Sequence, residues 1–125
     1  MNRLVLSVLP QRFAVCRLDP DEVIPDWLSG HSFWCVTRTD EELSLVLPEE
    51  GAPSDRRAEK GWRCFKVHGP LDFCLTGVLA SLASPLAEAD ISIFPISTYD
   101  SDYILVREWD LDKAKGLLLD SGHTI

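Results

Sequence analysis

A chain of 125 residues that is 46% apolar, with four tryptophans and a net charge of −8, has room for one compact domain or two very small ones, and is too apolar to stay disordered. No apolar run reaches the roughly 18 residues a membrane helix needs, and so acidic a surface repels phosphate backbones. The expectations are therefore no membrane partner and no nucleic-acid partner. The acidity is uneven: the residues after His68 carry three basic side chains against nine acidic ones and hold −6 of the net charge.

The start, "MNRLVLSVLP", is followed by no small-residue cleavage site and reads as a strand, which predicts a cytoplasmic protein. "LVLSVLP" (4–10) and "FAVCRL" (13–18) are strands split by a turn at Pro10-Gln11. "DPDEVIPDWLSG" (19–30) is a loop with room for one helical turn, since Pro25 limits anything longer. "SFWCVTRT" (32–39) alternates as a strand, "DEE" turns the chain, and "LSLVLPE" (43–49) returns as its hairpin partner. "EGAPSDRRAEKG" (50–61) is polar and reads as a surface loop. "WRCFKVHG" (62–69) is the next strand.

"TGVLASLASPLAEAD" then carries Val78, Leu79, Leu82, Leu86 and Ala89 at helical spacing. Pro85 inside this helix should kink it and free the carbonyl of Ser81, because residue 85 has no N–H to offer. "ISIFPIST" (91–98) is a strand, and Pro95 within it calls for an edge position or a bulge. "DSDYILVRE" (100–108) holds a turn and another strand. Asp110 is placed to cap "LDKAKGLLLDSG", a helix stopped near Gly122, and "HTI" is expected to begin a last edge strand.

The second half thus reads strand, helix, strand, strand, helix, short strand, the βαββαβ order of a ferredoxin-like α+β unit. The first half reads as a degenerate copy whose helices have eroded. The division falls at 1–61 and 62–125, two units in tandem with antiparallel sheets.

"TGVLASLASPLAEADISIF" resembles the ACT domain, a small regulatory module that binds amino acids. The likeness lies in the Gly-Val-Leu helix start, the Leu-Ala-Glu-Ala ending and the Ile-x-Ile strand. "ISTYDSDYILV" is similar to the subgroup in the ACT pairs of aspartate kinases and CASTOR-type arginine sensors, and "FAVCRL" and "GWRCFKV" to segments of short bacterial proteins of this kind. Where most ACT helices end on Gly before the Ile-x-Ile strand, this chain has Asp90, a residue less at ease in the left-handed conformation.

A free amino acid needs an anion site for its carboxylate and acceptors for its ammonium. A helix N-terminus supplies the first through its unpaired N–H groups and dipole. Gly77 keeps the backbone approachable and Thr76 adds a hydroxyl, so the N–H groups around Thr76, Gly77 and Val78 are candidate carboxylate ligands. Helix capping alone would also select Thr and Gly here, and the residues by themselves leave both readings open. The resemblance further implies that Thr98 and Tyr99 flank the ligand and that Asp102 meets its ammonium or a basic side chain. It implies a ligand held at the junction between ACT units, a homodimer, and a basic amino acid as the acidic second half would favour.

Other chemistry finds little support. His68 and Asp72 hint at a His–carboxylate pair, but no nucleophile has a recognisable context, so no enzyme is expected. Asp100 and Asp102 without a third ligand make a poor metal site, and no cofactor is implied. Cys16, Cys35, Cys64 and Cys74 show no C-x-x-C spacing and read as buried thiols. The alternative function is a ligand-free module that pairs with a protein partner.

Overall fold

The computed structural model describes residues 3–69 and 76–125. Cys74 and Asp72, and with Asp72 the pair with His68, lie outside the described residues. The chain divides into two compact units, one formed by Met1–Pro10 with Arg63–Ile125 and the other by Gln11–Trp62.

In the first unit, β1 (Leu6–Val8) runs antiparallel to the end of β5 (Arg57–Val67), with Leu6 opposite Val67 and Val8 opposite Phe65. On its other side β5 neighbours β7 (Asp102–Arg107), and β7 pairs antiparallel with β6 (Ile93–Ser97), giving the order β6–β7–β5–β1. The last strand of a βαββαβ unit would lie beside its first. Here β1, from the start of the chain, takes that place. The expected strand "HTI" is reduced to one bridge, Thr124 to Val5, outside β1. The strand expected at 4–10, inside the expected 1–61 bounds, thus groups with Arg63–Ile125, while the strand expected to open the N-terminal unit, 13–18, lies in the Gln11–Trp62 unit.

Helix α1 (Val78–Glu88) lies between β5 and β6 in sequence, and α2 (Leu111–Asp120) follows β7. Val78, Leu82 and Leu86 recur every fourth residue on α1 and are buried with Ala114 and Leu118 of α2 against Leu6, Phe65, Val67, Ile104 and Val106. Pro85 is accommodated inside α1, which continues to Glu88.

Both helices end alike. After α1, Ile91 N–H donates to Leu86 O and Asp90 N–H to Ala87 O; after α2, His123 N–H donates to Leu118 O and Gly122 N–H to Leu119 O. This is the Schellman pattern, which needs a left-handed residue at the turn. Gly122 (φ 99°) meets the need freely, and Asp90 (φ 57°) meets it as the non-glycine residue expected there. Asp110 stands before α2 as expected, but its side chain makes no capping hydrogen bond. β6 is the end strand of its order, the position Pro95 calls for.

In the Gln11–Trp62 unit, β2 (Phe13–Leu18) lies between β4 (Leu43–Pro48) and the first part of β5, and β3 (Cys35–Arg38) pairs with β4. All three pairings are antiparallel, in the order β3–β4–β2–β5. A 3-10 turn, Asp26–Gly30, joins β2 to β3. A second, Glu49–Gly51, follows β4. A separate core gathers Ala14, Cys16, Leu18, Leu28, Leu43, Leu45 and Leu47. The expected loop at 50–61 is overturned in its last part: residues 57–61 already belong to β5, with Arg57 opposite Arg17 and Glu59 opposite Val15. Their charges are no obstacle, because a strand needs only one face turned inward.

Candidate functional site

Gly77, at φ 77°, is the residue before α1, and no side chain caps the helix start. A left-handed backbone at this point explains the glycine independently of any ligand. Gly77 has no side chain of its own to offer the first N–H groups of α1. In front of them lies an open groove of about 440 Å³, lined by Thr76, Gly77, Ala80, Ser81, Ser84 and Pro85, and by Ser121 after α2. The small side chains follow helical spacing from Gly77, so one strip of α1 is low enough to admit a ligand along the backbone. Val78 is buried in the core and is not among the residues that line the groove. The hydroxyls of Ser81 and Ser121 donate to Val78 O and Leu117 O, at 2.7 and 2.9 Å, which leaves their lone pairs as acceptors. Backbone donors at one end and hydroxyl acceptors along the floor match a small zwitterion.

The hairpin end between β6 and β7 is a self-contained turn. Thr98 Oγ1 donates to Ser101 O at 3.0 Å and accepts from Ser101 N–H at 3.2 Å. Asp102 Oδ1 accepts from Ser97 Oγ at 2.6 Å. Tyr99 is 77% exposed. Ser101, buried, donates its hydroxyl to Val67 O and ties this turn to the end of β5, the strand that leads towards α1. The structure thus brings Thr76 and Gly77 together in the groove, with Val78 directly behind them. Thr98, Tyr99 and Asp102 are held at the hairpin end and are absent from the groove's lining.

Sequence reasoning missed Ala80, Ser81, Ser84 and Ser121. The first three were legible as small residues spaced three, four and seven after Gly77; Ser121 comes from another helix and gives no such signal. It also passed over His123, which is buried beneath the groove's Ser81. Its Nδ1 accepts Leu4 N–H at 3.1 Å, which places the ring hydrogen of the neutral imidazole on Nε2, 3.2 Å from Ser81 O. That oxygen is the carbonyl Pro85 leaves without a helical donor.

Catalytic alternatives gain nothing from the geometry. Burial pushes the Cys64 thiol up to about 12, so no thiolate forms near neutral pH. Among the described residues no three His, Cys, Asp or Glu side chains stand together as a metal site.

The ACT domain family model matches residues 57–120. A second model, for the N-terminal domain of another family, matches residues 11–55. The chain is 37% identical over 90 residues to the bovine cytosolic arginine sensor for mTORC1 subunit 1; the match takes in 63% of this chain and 27% of that protein. The match thus spans about a quarter of the length of that sensor. A crystal structure of an Agrobacterium tumefaciens protein shares 43% identity, with a TM-score of 0.93 over 99% of this chain and 92% of that one. Aspartate kinase from Clostridium acetobutylicum shares the fold at 14% identity, with a TM-score of 0.69 over 93% of this chain and 34% of the enzyme.

Proposed function

The chain belongs to the ACT domain family, and we propose that it is a regulatory sensor that binds a free amino acid at the start of α1. The observation that carries this reading is a left-handed glycine, Gly77, at the start of α1, lining together with small residues of that helix an open groove. The ligand carboxylate would sit on the N–H groups at Thr76, Gly77 and Val78. Its ammonium would meet serine hydroxyls or Asp102. Arginine is the first candidate, because the 37%-identical relative is an arginine sensor and the second half of this chain is acidic. Lysine is the next.

The Gln11–Trp62 unit is read here as a degenerate ACT unit. Its order β3–β4–β2–β5 repeats that of β6–β7–β5–β1, with a 3-10 turn in place of each helix. A second copy of the chain supplies the paired unit that ACT ligands bridge, so the working form is a cytoplasmic homodimer. Its output is a shift in conformation or association, not a chemical step.

A second reading is favoured by the hairpin end, where Thr98 is already bonded to Ser101 and Asp102 to Ser97. In it the module binds no amino acid and only pairs with protein. Thermal unfolding of the purified chain with each of the twenty amino acids separates the two. A ligand at a hundredfold excess over Kd stabilises the fold by about 2.7 kcal/mol. The expected outcome is a rise in Tm with arginine or lysine. Ala80→Trp, which fills the groove from an exposed position, should abolish that rise and leave the unliganded Tm unchanged. A rise that survives Ala80→Trp would move the ligand elsewhere. No rise with any amino acid at millimolar concentration would leave the pairing module.

A further inference from the structure

The Gln11–Trp62 unit carries a second feature that amino-acid binding at α1 does not use. The loop after β2, from Asp19 to Pro25, and the 3-10 turn that follows it leave Val23 84%, Ile24 42% and Trp27 44% exposed. Apolar side chains held in water this way mark contact surfaces when they are contiguous. These belong to a loop held in one shape. Arg38 donates to Pro20 O and, at 2.7 Å, to Glu22 O. Arg56 donates to Glu22 Oε1 at 2.6 Å, and Asp19 N–H donates to Glu22 Oε2 at 2.8 Å. These bonds, the Asp19 N–H first, hold the Glu22 carboxyl below its usual range, so it stays charged.

Beside this loop is an open groove of about 500 Å³. Its apolar walls come from Val23, Ile24, Pro25, Trp27 and Pro53. Its charged lining is Glu22, Asp26, Asp55 and Arg56. Arg56 is already bonded to both Glu22 and Asp55, the latter at 2.9 Å. Three carboxylates therefore face one cation in the lining; on the same loop Asp19, 3.7 Å from Arg17, and Asp21 add two more, against Arg17 and the Arg38 that holds the loop's carbonyls, so the balance stays acidic, five carboxylates to three cations.

We propose that this face docks a short basic and apolar segment of a partner protein, with its apolar side chains over Val23 and Trp27 and a Lys or Arg set against Asp26 and the Trp27 ring. Charge complementarity selects the cation, and the indole face adds to it. A free amine could enter the groove but would leave Val23, the most exposed of the three, in water. A second copy is disfavoured, because a self-complementary contact would set this acidic face against itself. Pinning the loop in advance lowers the ordering cost of binding.

The test is selection of a random peptide display library on the full-length chain, with the enriched peptides then titrated by fluorescence anisotropy. Peptides combining Lys or Arg with apolar residues are expected. Their affinity should fall about tenfold or more in Val23→Ser/Trp27→Ala, whose sites are exposed. It should also fall as salt rises, and should be unchanged in Ala80→Trp. Enrichment of acidic peptides, no enrichment, or binding that survives the double variant would overturn the proposal. So would equal competition by free agmatine, which would make the site one for a small amine, or self-association of the chain abolished by the double variant.

Discussion

At the scale of single residues, His123 acts through a carbonyl that Pro85 creates. Removing the imidazole strands Leu4 N–H and Ser81 O in a buried place, at a cost of about 1–3 kcal/mol for such groups. His123→Ala should lower stability by that order in urea unfolding. In a Pro85→Ala background, residue 85 regains an N–H for Ser81 O, so the same His123→Ala change should cost measurably less. Additive costs would show that the two residues do not share the carbonyl. The freed carbonyl was legible in the sequence, since a proline inside a helix always leaves one. Its partner was not, because the approach of a side chain from beyond the last helix is set by tertiary packing. Gly77 was legible as a residue with a reason, and the structure supplies a second one in its left-handed backbone.

At the scale of elements, the two helix endings make a matched pair with different residues at the turn. Asp90 pays a left-handed penalty that Gly122 avoids. Asp90→Gly should therefore raise stability by about 1 kcal/mol, read from the unfolding midpoint at unchanged slope. A loss would mean that the Asp90 side chain contributes more than its backbone strain removes. Periodicity made both helices and most strands legible, down to the edge position demanded by Pro95. It failed at residues 57–61, where "RAEKG" is too charged to advertise a strand and the pairing with β2 decides. It failed again at "HTI", because nothing local to those residues says that β1 already occupies the place beside β5.

At the scale of the whole molecule, each unit has its own buried cluster, and the proposed amino-acid site draws on one of them alone. Hydrogen exchange with and without the amino acid should show slower exchange in α1 and β7, with β4 unchanged. Equal protection of β4 would place the ligand's effect beyond the unit that carries α1. The acidic balance could be read from the sequence; the order of strands across the two units could not. The assignment of the first ten residues to the later unit could not, since a short apolar strand looks the same whichever partner it will find.

That assignment bears on how the chain is made. The residues of the Gln11–Trp62 unit are contiguous, so it can assemble as soon as they have left the ribosome. β1 is synthesised before it, yet its partner segment of β5 and the helices that bury Leu6 come afterwards. At ordinary elongation rates β1 waits for α2 for on the order of ten seconds. During that interval a bare apolar strand is the nascent chain's most vulnerable point, and the segment a chaperone would be expected to hold.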